Sequence, residues 1–152
     1  MSCSTFIEHL GTEGFGETAF VFGGAAAAHE AYDQIIYQFG TASTASAFVT
    51  GIQTLAGRCG SFTATANGSS GTFALKAMPG GSVAGHQAIE LLQTGTLGGS
   101  KLVLDTLFCA SGVDVFAASG VGTGGTAAPA SPTKQSVIDN LMKRQAAVAI
   151  LS

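Results

Sequence analysis

The sequence has few charged side chains, no tryptophan and no long apolar run. Only 10% of its 152 residues are charged, against roughly 25% in ordinary soluble domains. With 46% hydrophobic residues and a net charge of -3, it also lacks the polar, highly charged composition of a disordered chain. The longest apolar run, residues 146–151, is far shorter than the roughly 20 residues that span a bilayer, so we expect no transmembrane segment in this chain.

Basic residues number six, and only Lys143 and Arg144 are adjacent. Because nucleic-acid-binding domains carry a basic patch or stripe, we expect no nucleic acid partner. A surface so poor in charge consists mainly of small and neutral polar side chains. Such a surface is typical of exported bacterial proteins and of proteins that pack many copies together. Residues 1–10 have neither the basic start nor the apolar run of a signal peptide. Either the protein is cytoplasmic, or the export signal is absent from this sequence.

The three cysteines, Cys3, Cys59 and Cys109, contain no Cys-x-x-Cys pair, so we expect no structural zinc site. Their odd number permits one disulfide with one free thiol, and it equally permits three reduced thiols. A bridge between Cys3 and Cys59 would close a loop of about 55 residues and contribute about 4 kcal/mol in the chain-entropy model. Cys3 also lies close enough to the start to be a lipid-attachment cysteine.

Hydrophobic periodicity divides the chain into strands and helices. Residues 41–57 carry one amphipathic stripe, with Thr41 or Ser43 as the cap and Gly57 or Gly60 as the stop. Ser131-Pro132 begins a second helix, whose inner stripe is Ile138, Leu141, Met142, Gln145, Val148 and Ala149. A short helical turn is expected at 4–10, and strands are predicted at 17–22, 32–39, 61–66, 72–78, 86–94, 101–110 and 113–119.

The expected fold class is α+β, because five successive strands joined by short turns form an antiparallel meander rather than a parallel sheet. We expect one domain, residues 1–152, built as a twisted antiparallel sheet of five to seven strands. Two amphipathic helices pack on one face of it. Turns are predicted at 67–70, where Asn67-Gly68 is a strong hairpin signal, at 79–81 and at 111–112. Residues 120–130 are expected to form a low-complexity loop. The phenylalanines predicted to pack in the core are Phe48, Phe62, Phe73, Phe108 and Phe116.

Two short motifs resemble ligand signatures without their context. Residues 120–125 match Gly-x-Gly-x-x-Gly, but a dinucleotide site needs a helix that opens at that loop, and here prolines follow. His29-Glu30 begins like the zinc motif His-Glu-x-x-His, but its fifth position is Asp33. We therefore expect no metal and no cofactor.

Candidate reactive groups are few. Cys109 would be a nucleophile only if His29 or His86 lay beside it, and its place after Leu107 and Phe108 favours a buried, inert thiol. Asp105 and Asp114 lie in the last two strands on either side of a tight turn. They would either approach each other as an acid/base pair or face solvent separately.

A third carboxylate, Glu90, adds a possible polar contact on a neighbouring strand. An aromatic ligand cage is a sharper alternative to packing for the phenylalanines. No arrangement of catalytic residues emerges, so we expect a protein that is not an enzyme and has no catalytic residues.

Two stretches carry a family resemblance. IIYQFGTASTASAFVTGIQTLAGRCGSFTAT, residues 35–65, joins a strand, an alanine-rich helix, a cysteine and a strand. LVLDTLFCASGVDVFAASGVG, with the closing helix SPTKQSVIDNLMKRQAAV, forms the other stretch. Together they resemble the PknH-type extracellular sensor-like domain of actinobacterial exported proteins over about residues 30–148. The resemblance implies an antiparallel sheet with two helices, a cleft for an unidentified ligand, and a disulfide that by position joins Cys3 to Cys59.

The leading hypothesis is therefore a non-enzymatic extracytoplasmic domain, extracellular or in the cell envelope. It would capture a small or lipidic molecule in a cleft between sheet and helices. The alternative is a structural subunit that self-assembles as a homo-oligomer into a filament, tube or shell, which the shortage of charge favours. The sequence does not identify the ligand-binding residues.

Overall fold

The computed structural model describes residues 2–12, 14–16, 18–22, 32–66, 68–123 and 131–151. The helices are α1 (Cys3–Thr12), α2 (Ala42–Arg58) and α3 (Ser131–Leu151). The strands are β1 (Thr18–Phe22), β2 (Tyr32–Gln38), β3 (Phe62–Ala66), β4 (Ser69–Val83), β5 (His86–Leu97), β6 (Ser100–Ser111) and β7 (Asp114–Thr123).

All seven strands form one curled antiparallel sheet in the order β1-β2-β7-β6-β5-β4-β3. Strands β3 to β7 follow one another as a meander, and β2 then pairs with β7, the last strand in the chain. Ile36 of β2, for example, lies opposite Phe116 of β7. The predicted α+β class and antiparallel sheet are confirmed.

Helix α2 forms where its apolar stripe predicts. Thr41 is in an extended conformation, and its hydroxyl oxygen accepts a hydrogen bond from the amide of Thr44 at 3.1 Å, which makes it the N-cap. The helix ends at Arg58, and the amide of Cys59 donates to the carbonyls of Leu55 and Ala56. Five stripe residues are buried: Ala45, Val49, Ile52, Leu55 and Ala56.

The sheet is covered on both faces, whereas two helices on one face were expected. Leu107 and Phe108 are adjacent in β6 and both fully buried, although successive side chains of a strand point to opposite faces. Phe108 belongs to the core beneath α2, together with Phe6 of α1, Tyr37, Leu75 and Leu91. Leu107 belongs to the core beneath α3, with Ile36, Val83, Ala88, Cys109, Phe116, Ala118, Ile138 and Leu141.

Strand β4 is longer than predicted, because it continues through Pro79 to Val83 where a turn at 79–81 was expected. Pairing with β5 shifts in register between Pro79 and Ser82, and Gly81 has a positive φ of 77°. These features make a bulge within the strand. Beyond Phe73, β4 is not paired with β3, so it forms a sheet edge there, and proline is tolerated at edges and bulges.

The other boundaries shift by a few residues. Strand β7 extends to Thr123, so Gly120 and Gly122 belong to a strand rather than to the predicted loop. The β6–β7 turn contains Gly112, whose φ is 61°. Asn67, His29, Glu30 and the rest of the glycine-rich segment, residues 124–130, lie outside the described residues.

Candidate functional site

A groove of about 330 Å³ opens between α1 and α2. Its apolar wall is built by Phe6, Phe48, Ile52 and Leu55, of which Phe6 and Ile52 are almost completely buried. Its rim is exposed and consists of Gly51, Thr54 and Arg58. The α2 residues recur at intervals of three and four, which places them along one side of the helix. The groove therefore has an apolar interior and a single cation at its mouth.

Gly51 keeps part of this groove open. A Cβ built on Gly51 meets nothing within 4 Å, and the same is true of Gly57 farther along α2. Glycine in a helix interior is less favourable than alanine by about 1 kcal/mol, so Gly51 weakens α2 where the groove lies.

The predicted disulfide between Cys3 and Cys59 is confirmed, with a Cα–Cα distance of 5.8 Å. It joins the first residue of α1 to the residue that follows α2, so the two helices that form the groove are covalently tied. Disulfides persist in oxidising compartments, and this one is consistent with an extracytoplasmic location.

An aromatic cluster lies next to the groove and centres on Phe48. Its ring centroid is 5.1 Å from that of Phe15, 5.4 Å from that of Phe39 and 6.0 Å from that of Phe108. The ring of Phe15 also lies 5.0 Å from that of Phe6. Phe48 and Phe108 were expected to pack in the core, whereas the contribution of Phe6 and Phe15 was not predicted. Their role depends on how α1 folds back against α2, which local periodicity does not reveal.

A second cluster, of charged residues, lies on the opposite face of the sheet beneath α3. Lys134, in the first turn of α3, is fully buried, and its Nζ is 3.1 Å from Asp105 Oδ2 and 3.3 Å from Glu90 Oε1. Glu90 lies opposite Leu107 in the sheet, and Asp105 lies opposite Leu92, so the two carboxylates are diagonal neighbours on one face. Burial raises the pKa of Asp105 to about 6; the hydrogen bond with Lys134 opposes this shift and the one with Glu90 adds to it.

Asp105 and Asp114 neither approach each other nor face solvent, so the expected solvent-facing arrangement and its alternative, an acid/base pair, are both wrong. Asp105 lies opposite Gly120 in β7, whereas Asp114 lies opposite Ser111 at the other end of the same pair of strands. Asp114 is also buried, and it accepts hydrogen bonds from Gln38 Nε2 at 3.3 Å and Gln145 Nε2 at 2.7 Å. Both carboxylates are withdrawn from water because α3 covers the face that was expected to be exposed.

Cys109 is a buried free thiol, as its apolar surroundings in sequence indicated. Its Sγ lies 3.8 Å from the backbone carbonyl oxygens of His86 and Gln87, and burial raises the pKa of the thiol to about 11. His86 Nε2 is 3.3 Å from Ser111 Oγ. A thiol that remains protonated at neutral pH is a poor nucleophile. Within the described part of the chain, no three metal-ligating side chains come together.

No family model, curated protein or solved structure matches this chain. Among the residues that the structure describes, no helix is long and apolar enough to cross a membrane.

Proposed function

We propose that this domain is a non-enzymatic, sensor-like extracytoplasmic module that binds a small amphipathic or lipidic molecule in the groove between α1 and α2. The observation that carries the proposal is the combination of an apolar wall with one exposed cation, Arg58, at the rim. Ligand sites are typically concave and mostly apolar, with a few polar groups that set orientation. A groove of about 330 Å³ accommodates one short apolar chain.

Arg58 favours a ligand with an anionic head, because guanidinium groups bind carboxylates and phosphates through paired hydrogen bonds. It is the basic residue in the last turn of α2 and directly precedes Cys59 of the disulfide. The apolar tail of such a ligand would lie against Phe48, Ile52 and Leu55. The proposed ligand class is therefore a straight-chain fatty acid or a lipid with a similar anionic end.

Thermal-shift and calorimetric titrations with straight-chain fatty acids, kept below their micelle concentrations, test this function. We expect saturable stabilisation that grows with ligand concentration, because a ligand that binds only the folded state raises its stability. The matched fatty alcohols should bind more weakly. Arg58→Gln should reduce the binding of the acids to the level of the alcohols.

Gly51→Leu and Gly57→Leu form a matched pair of variants. Both replace a glycine of α2 at a position where a Cβ has open space, and only Gly51 lines the groove. We expect both to raise the helix propensity similarly and only Gly51→Leu to abolish fatty-acid binding. Unchanged binding by Gly51→Leu would contradict a site in this groove.

The second candidate is a self-assembling structural subunit. Arg58 is the one charged residue of α2, so the exposed side of this helix consists mainly of small, neutral side chains. Such a surface supports self-assembly. Light scattering over a range of concentrations distinguishes the two functions. A mass that rises with concentration and is unaffected by fatty acids supports the subunit, and a constant monomer mass supports the ligand-binding domain.

A further inference from the structure

The charged cluster beneath α3 lies on the opposite face of the sheet from the groove, so the proposed function does not use it. Lys134 is fully buried in contact with two carboxylates, although most lysines in folded proteins are exposed. Taking three ionisable groups out of water is costly unless their charges and hydrogen bonds are satisfied. Here one oxygen, Asp105 Oδ1, is buried with no hydrogen-bond partner among the described residues. If the cluster served only as an ion pair, burying these charges would therefore be an unfavourable way to attach α3 to the sheet.

We propose that Lys134 and Asp105 form an intramolecular isopeptide bond, with Glu90 as the proton acceptor. The Lys134 Nζ is 3.1 Å from Asp105 Oδ2, and Cγ, the carbon that the amine would attack, is one covalent bond beyond that oxygen. Holding two reacting groups next to each other in this way favours reaction between them. Glu90 Oε1 is 3.3 Å from the same nitrogen, which is close enough to receive its proton. Leu107 lies opposite Glu90 in the sheet, and it belongs with Ile138 and Leu141 to the apolar core beneath α3.

The reaction needs no oxidant, reductant or cofactor. The Lys134 ammonium gives one proton to the Glu90 carboxylate, and the resulting amine attacks Cγ of the protonated Asp105 carboxyl. A C–N bond forms, the nitrogen loses a second proton to the departing hydroxyl group, and the C–O bond breaks. The products are one amide, one water molecule and a protonated Glu90, so atoms and charge balance.

Asp105 is the better electrophile of the two carboxylates. Its oxygen is the nearer to Nζ, its other oxygen lacks a hydrogen-bond partner, and burial raises its pKa to about 6, which favours the neutral acid that an amine can attack. The product replaces buried charges by a neutral amide and joins the first turn of α3 to β6.

Intact-mass spectrometry of the purified, reduced full-length chain tests the bond. We expect the mass to be lower than that of the sequence by one water molecule. Trypsin does not cleave after an acylated lysine, so the digest should contain residues 102–143 as one peptide that lacks one water. Recovery of the full sequence mass, with a peptide 102–134 that ends at free Lys134, would overturn the proposal.

The location of the link is also tested by the digest. A bond from Lys134 to Glu90 instead would join the separate peptide 77–101 to the Lys134 peptide, which would overturn the assignment of Asp105. Glu90→Gln keeps both bonding partners and removes the proton acceptor, so it should have the full sequence mass. Lys134→Met should have it too, and circular dichroism checks that each variant is folded. Loss of water that persists in either variant would contradict the mechanism.

Discussion

Charge is scarce in this chain, yet Glu90, Asp105, Asp114 and Lys134 are buried on the face that α3 covers. Each has polar contacts: the first two with Lys134, and Asp114 with Gln38 and Gln145. Buried charges that lose a partner are strongly destabilising, which makes these residues more sensitive to substitution than charges on the surface. The polar interactions of these buried charged residues are therefore concentrated beneath α3.

We predict that Cys109 makes folding stability fall at alkaline pH. Burial raises the pKa of the folded thiol to about 11 from its ordinary value of 9.0, so the folded state holds the proton more tightly than the unfolded state. The stabilisation is complete below pH 9 and is lost as the pH rises towards 11. Urea unfolding at a series of pH values should show this loss.

Cys109→Val is the control for the thiol, because it keeps an apolar side chain of similar size. Its stability should fall less steeply over the same pH interval than that of the wild type. Equal slopes for the two proteins would show that other groups cause the alkaline loss.

The buried lysine could have been found in the sequence by extending the helical stripe of α3. Lys134, Ile138, Leu141 and Gln145 recur at intervals of four, three and four, which places Lys134 on the inner side. The predicted stripe begins at Ile138 and leaves Lys134 out. Sequence periodicity does not identify the salt-bridge partners of Lys134, because Glu90 and Asp105 come close to it only through tertiary packing.

At the scale of elements, α2 and α3 cover opposite faces of the sheet, so the strands between them have no solvent-exposed face. Leu107→Ala and Phe108→Ala should therefore both destabilise the protein, by about 2–5 kcal/mol each, since both side chains are fully buried on opposite faces. Denaturant unfolding measures the effect. Val113→Ala, at an exposed turn position, is the control and should change stability little. A neutral result for Leu107→Ala would mean that α3 does not pack on the sheet.

The disulfide is expected to stabilise α1 more than any other element. Cys3→Ser should lower the free energy of unfolding by about 4 kcal/mol, because the bridge closes a loop with a sequence separation of 56 residues. Amides of β5 and β6 that exchange only through global unfolding should exchange faster by the amount that denaturant unfolding measures, and amides of α1 should exchange faster still. Acceleration in α1 no greater than in β5 and β6 would contradict a local role for the bridge.

The elements that are signalled locally were predicted well. The α2 stripe with its Thr41 cap, the meander and the Gly112 turn each depend on residues close in sequence. The path of β4 through Pro79 was missed, because a proline-glycine-glycine segment ordinarily forms a turn and only the absence of a neighbouring strand makes it tolerable as an edge. The placement of α2 and α3 on opposite faces of the sheet was also not predicted. A strand with apolar residues on both faces does not indicate which helix covers which face.

At the scale of the whole molecule, the open edge of β4 is protected against pairing with other chains. Pro79 has no amide to donate, the bulge interrupts the edge, and Gln135 Nε2 donates to the carbonyl of Gly80. We predict that Pro79→Val promotes association, which light scattering would detect as a mass that rises with concentration. Ala74→Val, earlier on the same strand, is a matched control. Monomeric Pro79→Val would show that proline is not what protects this edge.

The pairing of β2 with β7 has a consequence for how the molecule is made. Strand β2 pairs with β1 on one side, and its other side can pair only after residues 114–123 of β7 have been synthesised. The sheet therefore closes only after most of the chain has been made. Contacts this distant in sequence slow folding, because a large loop must be ordered before they form. A nascent chain would therefore leave the ribosome without a finished sheet until its last strand has emerged.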